Sequence, residues 1–341
     1  MKRALITGIT GQDGSYLTKF LINRGYQVWG LVTDHDRDQL ANLEFLGVSD
    51  RVDSVHGDLL NLNKLMGLIE GIVPDEIYHL AAQSSVARSF TYPLDTVTFN
   101  ILSTQHLLEA VRRLDLPARF YQASSSEMFG RVKTLPVVEE SVFHPVSPYA
   151  ISKAAGHWLA VNYREAYGMF CCCGILFNHE SVLRPDYYVT KKIVSAAVRI
   201  SKGSREKLTL GNVEVRRDWG YAPEYVKSMW LMLQQADADE YVIATNEPHS
   251  LRDFAAGVFG CFGLDWMEHT IIDQGLFRPS DIDVIYGDPT KAKERLGWEY
   301  SMTFDDLVRR LVEDELAAGN GTARPPDPLT LLKRQIDKEQ Q

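Results

Sequence analysis

Tyr149 and Lys153 are spaced so that one face of a helix would carry both side chains, about one turn apart. An ammonium group beside a phenol lowers the pKa of the phenol, and the phenolate can then take a proton from a substrate hydroxyl. Ser125 ends an apolar, strand-like run, and its hydroxyl could share that proton. Although the Tyr–Lys spacing alone is usually structural, the three residues together predict oxidation at a carbinol carbon.

Glu127 adds a second acid–base group two residues beyond Ser125. Once a hydroxyl has become a ketone, the neighbouring C–H is acidic, and a carboxylate can remove that proton. The protonated group can then assist the loss of a hydroxyl as water. A simple reductase or epimerase does not need this carboxylate, so Glu127 favours a dehydratase; the alternative is a solvated loop carboxylate.

Gly8, Gly11 and Gly14 follow the first apolar run and open a helix-like stretch. Glycine permits a tight turn and lets a pyrophosphate approach the backbone, while the helix N-terminus offers free N–H groups. This context predicts a dinucleotide site rather than an ordinary glycine-rich turn. Asp58 and residues 80–82 follow later strand ends, where the adenine and ribose would lie.

The elements that must position these groups alternate between strand-like and helix-like runs. The predicted strands are residues 3–7, 27–32, 76–81, 119–123 and 169–176, and the predicted helices follow Gly14 and Leu60, cover 104–114 and start near Tyr149. Such alternation implies right-handed crossovers and a parallel sheet covered on both faces. The predicted fold is α/β, a Rossmann-type doubly wound parallel sheet with a smaller mixed α/β substrate-binding lobe after Phe177.

Composition restricts the possible partners. The chain of 341 residues is 45% hydrophobic and 24% charged, with a formal net charge of −9, which is typical of a globular protein and argues against nucleic acid or an anionic membrane. The first residues run straight into a strand, and no apolar run reaches the ~20 residues of a membrane span. We expect a cytoplasmic protein. Cys171, Cys172 and Cys173 are expected in a buried strand, and no metal site is expected.

Seven segments resemble the GDP-mannose 4,6-dehydratases of the extended short-chain dehydrogenase/reductase superfamily, and the similarity runs to about residue 315. They are GITGQDGSYL (8–17), LAAQSSV (80–86), SSSEMFG (124–130), SPYAISK (147–153), GILFNHES (174–181), LGN with RRDWG (210–212 and 216–220) and FRPSDID (277–283). The GQDG and NHES motifs are more specific than the glycine spacing or the Tyr–Lys pair.

The resemblance implies roles for the reacting groups. Tyr149 and Lys153 would start oxidation at C4 of the sugar, with Ser125 sharing the proton, and Glu127 would be the C5 base. The residues implied to bind the cofactor are Gly8, Thr10, Gly11, Gln12, Asp13, Gly14, Asp34, Arg37, Asp58, Leu59, Leu80, Ala81, Ala82, Ser84, Tyr149, Lys153, His179 and Arg184.

A second set is implied to hold a GDP-sugar substrate. These residues are Ser85, Ser126, Asn178, Val189, Lys192, Leu210, Gly211, Arg217 and Arg278. Arg217 and Arg278 would face the diphosphate, because guanidinium groups bind phosphate oxygens well. The alternative for both arginines is surface ion pairing.

Two segments depart from the family pattern. NHES is usually followed by Pro, Arg and a Gly-led stretch, but here it is followed by VLRPDYY (182–188), so a substrate other than GDP-mannose is possible. The family usually places Arg and Ser residues for the 2′-phosphate of NADP after the second strand. Here Asp34 stands where an acid binds the ribose of NAD. We therefore expect NAD, although Arg37 could favour NADP, the family's cofactor.

Several readings follow from these features. The first is a dehydratase that converts a GDP-hexose to the GDP-4-keto-6-deoxy-hexose; the alternatives are action on a GDP-manno-heptose, a GDP-4-keto-sugar reductase or epimerase, and a protein that only binds dinucleotide. Residues 1–176 with returning segments at about 214–247 are expected to form the dinucleotide-binding domain. About 177–213 and 248–320 would form the nucleotide-sugar-binding lobe, and 321–341 a C-terminal extension.

A homodimer is the expected assembly. Extended dehydrogenases of this kind pair through two helices of the sheet domain, which here would be the helix at 104–114 and the one from Tyr149. A tetramer, the family's other common state, would use the loop after the second strand, where this chain has Thr33 and then residues 34–38 with three aspartates.

Overall fold

Strands and helices alternate along the first half of the chain, as the apolar periodicity predicts. The computed structural model describes residues 1–33 and 40–319. The strands are β1 (Arg3–Thr7), β2 (Gln27–Val32), β3 (Val52–His56), β4 (Glu76–His79), β5 (Arg119–Ser125), β6 (Cys171–Leu176), β7 (Asn178–Glu180), β8 (Leu208–Leu210), β9 (Arg216–Tyr221), β10 (Glu240–Ile243), β11 (Pro248–Ser250), β12 (Thr270–Ile272) and β13 (Val284–Ile285). Asp34, Arg37 and the extension 321–341 lie outside the described residues.

The helices fill the crossovers and the second half of the chain. They are α1 (Gln12–Ile22), α2 (Ala41–Phe45), α3 (Leu62–Ile72), α4 (Val86–Thr91), α5 (Pro93–Arg113), α6 (Pro148–Tyr167), α7 (Val189–Ser201), α8 (Ala222–Met232), α9 (Leu251–Gly260), α10 (Trp266–His269), α11 (Thr290–Leu296) and α12 (Phe304–Ala318). Short 3₁₀ turns cover Ser49–Arg51, Ser126–Met128 and Gln274–Leu276.

Within residues 1–33 and 40–319, the main sheet has seven strands in the order β10-β6-β5-β4-β1-β2-β3. Neighbouring strands pair in parallel throughout. Apolar clusters cover both faces of this sheet, and β6 is buried along its whole length, including Cys171, Cys172 and Cys173. The predicted doubly wound α/β fold and the buried cysteine strand are confirmed. The strand order reverses between β1 and β4, which is where such sheets open a ligand crevice.

A smaller unit carries its own core. Here β9 pairs with β7, β11 and β13, while β8 pairs with β12. The apolar residues of α7, α9 and α12 pack together beneath β9. The expected boundary at residue 214 would put β9 in the dinucleotide-binding domain, but β9 pairs with strands of the smaller unit. The return to the main sheet therefore starts at α8 and reaches it with β10.

The helices and strands agree with the predicted ones, but some of them begin or end at different residues. The bounds of β1 and β2 are as predicted, whereas β4 stops at His79, which pairs with Thr7 at the end of β1. The Leu80 N–H makes the last bond of this ladder, to the Thr7 carbonyl at 3.2 Å. The helix α5 begins at Pro93 rather than at 104, because proline suits a first helical position. The edge strand β3 was not among the predicted strands, since its half-exposed residues lack a continuous apolar run.

No helix in residues 1–33 and 40–319 is both long and apolar enough to cross a lipid bilayer. Across the same ranges, no group of three or more His, Cys, Asp or Glu side chains could hold a metal ion.

Candidate functional site

The glycine loop packs directly against the end of β4. Gly8 has a φ of +71°, which disfavours any residue with a side chain, and a Cβ there would lie only 2.8 Å from the backbone nitrogen of Ala81. Both the backbone conformation and the lack of space therefore require glycine. A Cβ on Gly14 would collide with the Gly8 carbonyl. No side chain caps the N-terminus of α1, which begins after Gly11. The glycine positions of this loop and the uncapped helix end therefore fit a pyrophosphate and would hold a dinucleotide here.

Asp13 links this loop to the segment that follows β6. Its Oδ2 is 2.9 Å from Nε2 of His179, whose Nδ1 is 2.6 Å from the carbonyl oxygen of Phe177. The ring of His179 therefore bridges the Asp13 carboxylate and the Phe177 carbonyl. Burial raises the pKa of Asp13, but the His179 ring and the Arg184 guanidinium outweigh it and hold that pKa well below its usual range.

Further hydrogen bonds reinforce the same junction. Gln12 donates from Nε2 to the His179 carbonyl at 3.1 Å and accepts from the Ser181 hydroxyl at 2.8 Å. Arg184 donates to the same His179 carbonyl at 3.0 Å and to Glu180 Oε2 at 3.1 Å. The GQDG and NHES motifs are therefore in contact, and His179 and Arg184 lie beside the predicted cofactor loop.

The first turns of α6 hold Tyr149 and Lys153 in the buried centre of the site. The Ser147 hydroxyl caps this helix by accepting from the Ala150 N–H. Lys153 donates from Nζ to the Ala123 carbonyl at 2.7 Å, and its Nζ lies 6.0 Å from the centre of the Tyr149 ring. Burial lowers the pKa of Lys153 to about 8, although the Asp13 carboxylate acts in the opposite direction.

The pKa of Tyr149 departs from the expectation. Burial raises it well above its usual value, and a hydrogen bond with the Ser125 hydroxyl acts the other way. Lys153, whose ammonium faces the Ala123 carbonyl, does not offset the effect of burial on this pKa, and its role in activating Tyr149 stays a prediction. The Ser125 hydroxyl therefore lies near that of Tyr149, and their sharing of a substrate proton stays a prediction.

Glu127 lies in the turn Ser126–Met128, directly after β5, and its N–H donates to the Ser125 hydroxyl at 3.3 Å. Its half-buried carboxylate acts on two other site residues. Beside the larger effect of burial, the carboxylate raises the pKa of Tyr149. Burial lowers the pKa of Arg217, and the Glu127 carboxylate partly offsets this by raising it. Glu127 is therefore within electrostatic reach of both Tyr149 and Arg217.

Arg217 is only 5% exposed, so surface ion pairing does not describe it. Its guanidinium donates to the Ile282 carbonyl at 2.6 Å and to Asp281 Oδ1 at 2.9 Å. Arg278 donates to the same Asp281 oxygen at 3.3 Å. Sequence reasoning missed Asp281, although the FRPSDID motif contains it. The role of both arginines toward a diphosphate stays a prediction.

The remaining residues predicted for the substrate lie along α7, β7 and the neighbouring loops. Lys192 donates to the Thr209 carbonyl at 2.6 Å, beside buried Leu210. A Cβ on Gly211 would approach the Leu276 carbonyl to 3.0 Å, so the two loops touch there. Val189 opens α7 and is 37% exposed, while Asn178 opens β7.

The other predicted residues lie after β1, β3, β4 and β5, and most have local hydrogen-bond partners. Asp58 accepts from the Leu60 N–H at 2.8 Å, and the Leu59 carbonyl is 2.9 Å from Nδ1 of His106. Ser85 caps α4, and Ser126 is buried in the turn after β5. The Thr10 carbonyl accepts from Asn42 at 2.8 Å, and Ala82 lies beside Ala81 at the end of β4.

Sequence reasoning also missed Tyr188. Its hydroxyl lies 2.6 Å from the Ser84 hydroxyl, and its ring packs against the Arg184 guanidinium. The only signal was the departure of segment 182–188 from the family pattern.

Comparisons with known proteins agree with this arrangement. The family model described as GDP-mannose 4,6 dehydratase matches residues 5–311. GDP-mannose 4,6 dehydratase 1 of Arabidopsis thaliana is 47% identical, over 92% of this chain and 90% of that protein. The GDP-mannose 4,6-dehydratase of Yersinia enterocolitica is 41% identical over 93% and 94%, and the human protein of that name is 40% identical over 92% and 91%.

Solved structures share the fold. DesIV, a dTDP-glucose 4,6-dehydratase from Streptomyces venezuelae with NAD bound, has a TM-score of 0.82 at 24% identity, covering 93% of this chain and 98% of that one. RMD from Pseudomonas aeruginosa, in complex with NADPH, has a TM-score of 0.78 at 22% identity, covering 93% and 99%.

Proposed function

Because this chain belongs to the GDP-mannose 4,6-dehydratase family, we propose that it converts GDP-mannose to the GDP-4-keto-6-deoxy-hexose with loss of one water. The observation that carries this function is the position of half-buried Glu127, in the turn after β5 and within electrostatic reach of Tyr149. A reductase or epimerase has no use for a second acid–base group there.

A nicotinamide dinucleotide, held at the loop of Gly8, Gly11 and Gly14, would supply the hydride chemistry that links C4 and C6 of the sugar. The chain's own residues manage the protons. Tyr149, with Ser125, takes the proton of the C4 hydroxyl as the ketone forms, and Glu127 takes the C5 proton. Glu127 then gives its proton to the departing C6 hydroxyl, which leaves as water. C5 regains one proton, which is balanced, through exchange with solvent, by the proton that Tyr149 took from the C4 hydroxyl. The net change is the loss of one water, with no consumption of cofactor.

Incubation with GDP-mannose, followed by mass analysis, tests this function. We expect a product lighter by one water and no net consumption of added cofactor. Consumption of one cofactor per turnover would indicate a reductase, an unchanged mass with altered stereochemistry an epimerase, and no reaction a binding protein. Because segment 182–188 departs from the family pattern, GDP-manno-heptose belongs in the same assay as the alternative substrate.

We propose NAD as the cofactor, on the sequence of the loop after β2. In the sequence, Asp34 and Asp36 follow β2, where an acidic residue is typical of NAD binding and like charge disfavours a 2′-phosphate. After removal of bound nucleotide, calorimetric titration is expected to give tighter binding of NAD than of NADP. Tighter NADP binding would contradict this proposal, and Arg37→Ala would then show whether that arginine is responsible.

A homodimer is the assembly that we propose, with α5 and α6 as its contact surface. These helices and the residue before α5 leave large apolar side chains exposed, including Leu94 at 80%, Trp158 at 58% and Ile151 at 50%. Exposed apolar surface of this kind is typical of a protein interface. We expect light scattering to show a dimer and Trp158→Glu to weaken it.

Met267→Glu is the matched control for this interface, because Met267 is 61% exposed in the smaller unit and should leave the dimer intact. A stable wild-type monomer would refute the dimer. A tetramer would show that the loop after β2 still supports the family's larger assembly.

A further inference from the structure

Tyr188 joins the two units of the protein at the edge of the active site. It precedes α7 in the smaller unit, while Ser84 follows β4 of the main sheet. Their hydroxyl oxygens are 2.6 Å apart, which is a short hydrogen bond. This bond therefore crosses from the substrate side to the cofactor side.

Neighbouring groups fix the Tyr188 ring in place. The Arg184 guanidinium lies 4.5 Å from the ring centre, within the range of a cation–π contact. Arg184 is itself held by the His179 carbonyl and by Glu180. The Tyr187 ring also packs against that of Tyr188, with 4.8 Å between the ring centres. A side chain held in this way loses little freedom when a ligand binds beside it.

The position of Tyr188 is also close to the reacting groups. Ser84 lies three residues beyond Ala81, whose backbone contacts the glycine loop at Gly8. The charge of a Tyr188 phenolate would raise the pKa of Tyr149, so the two phenols are within electrostatic reach of each other. A sugar whose C4 hydroxyl meets Tyr149 would therefore lie beside Tyr188.

We propose that Tyr188 is a positioning residue that encloses the sugar, with its hydroxyl bond to Ser84 holding the substrate lobe over the reacting carbon. This inference rests on the proposed function and adds a determinant of sugar binding to it. The diphosphate, predicted at Arg217 and Arg278, should not depend on Tyr188. Loss of the hydroxyl should therefore weaken binding of a GDP-sugar without weakening binding of GDP.

The test compares Tyr188→Phe with the parent protein by calorimetry, in a Tyr149→Phe background that leaves GDP-mannose unreacted. A neutral hydrogen bond contributes about 0.5–1.5 kcal/mol, so we expect Kd for GDP-mannose to rise roughly 2- to 12-fold and Kd for GDP to stay constant. In the active protein, KM should rise by a similar factor with kcat little changed, as for lost uniform binding.

Two further variants make the outcome decisive. Ser84→Ala removes the other hydroxyl, and the double variant should bind GDP-mannose no more weakly than the weaker single variant. Tyr167→Phe, at the distant end of α6, is the control for a tyrosine hydroxyl in general. Additive effects of Tyr188→Phe and Ser84→Ala would overturn the inference.

The remaining outcomes are equally clear. An unchanged Kd for GDP-mannose in Tyr188→Phe, or an equal loss for GDP and GDP-mannose, would also overturn the inference and leave the proposed function intact. The proposed function itself would fail if the wild-type protein removed no water from any GDP-sugar tested.

Discussion

Glu127→Gln is expected to stop dehydration while oxidation at C4 continues. The amide keeps the shape of the side chain but cannot take the C5 proton, and loss of a general base typically lowers the rate ~10²- to 10⁴-fold. The backbone bond from Glu127 to Ser125 does not involve the carboxylate, so the turn after β5 should keep its conformation. Mass analysis of the water lost from GDP-mannose measures the rate.

A second measurement, of deuterium at C5, shows at which step Glu127→Gln stops the reaction. In heavy water, the wild-type product should carry solvent deuterium at C5, whereas substrate recovered from Glu127→Gln should carry none there. Glu140→Gln is the matched control, because Glu140 is exposed on the following loop and should retain full activity. A near-wild-type rate of dehydration in Glu127→Gln would remove this carboxylate from the mechanism.

Tyr149→Phe is expected to block the reaction one step earlier. Phenylalanine keeps the buried ring on α6 but removes the hydroxyl that bonds with Ser125 and would receive the C4 proton. We expect a fall of ~10²- to 10⁴-fold in both oxidation and dehydration. The absorbance of the bound nicotinamide during a single turnover reports oxidation, and mass analysis reports dehydration.

The two variants should therefore stop the reaction at different steps. Glu127→Gln should still oxidise C4, and Tyr149→Phe should not. Tyr167→Phe controls for the loss of a phenol hydroxyl from the same helix. Retained oxidation in Tyr149→Phe would assign the proton transfer to another group, for which Ser125 and Lys153 are the neighbouring candidates.

The sequence was sufficient to predict the site where its residues directly follow a strand in the chain. Strand β1 and the glycine loop are adjacent in the chain, so apolar residues followed by glycines reveal both. Ser125 and Glu127 follow the apolar run of β5 directly. In a parallel sheet the strand ends meet at one edge, which is why these segments could be predicted to converge.

Contacts between distant segments could not be predicted in this way. Ser84 and Tyr188 are separated by 104 residues, and neither position has a pattern that requires the other. The partner of Lys153 is the backbone carbonyl of Ala123, which any residue would supply. For the same reason the burial of Arg217 depends on how residues 281–282 pack against it, not on its own neighbours in the chain.

The path of the chain between the two units limits how this protein could acquire a new substrate. After β7 the chain builds the smaller unit, returns with α8 and β10 to the main sheet, and leaves again at β11. Grafting the smaller unit from a relative would therefore need several junctions, and recombination at a single point would break β7, β9 or β11 from their partners. Gradual exchange of short segments such as 182–188 keeps every strand pair, so diversification of the sugar is expected to proceed through point substitutions there rather than through the shuffling of whole modules.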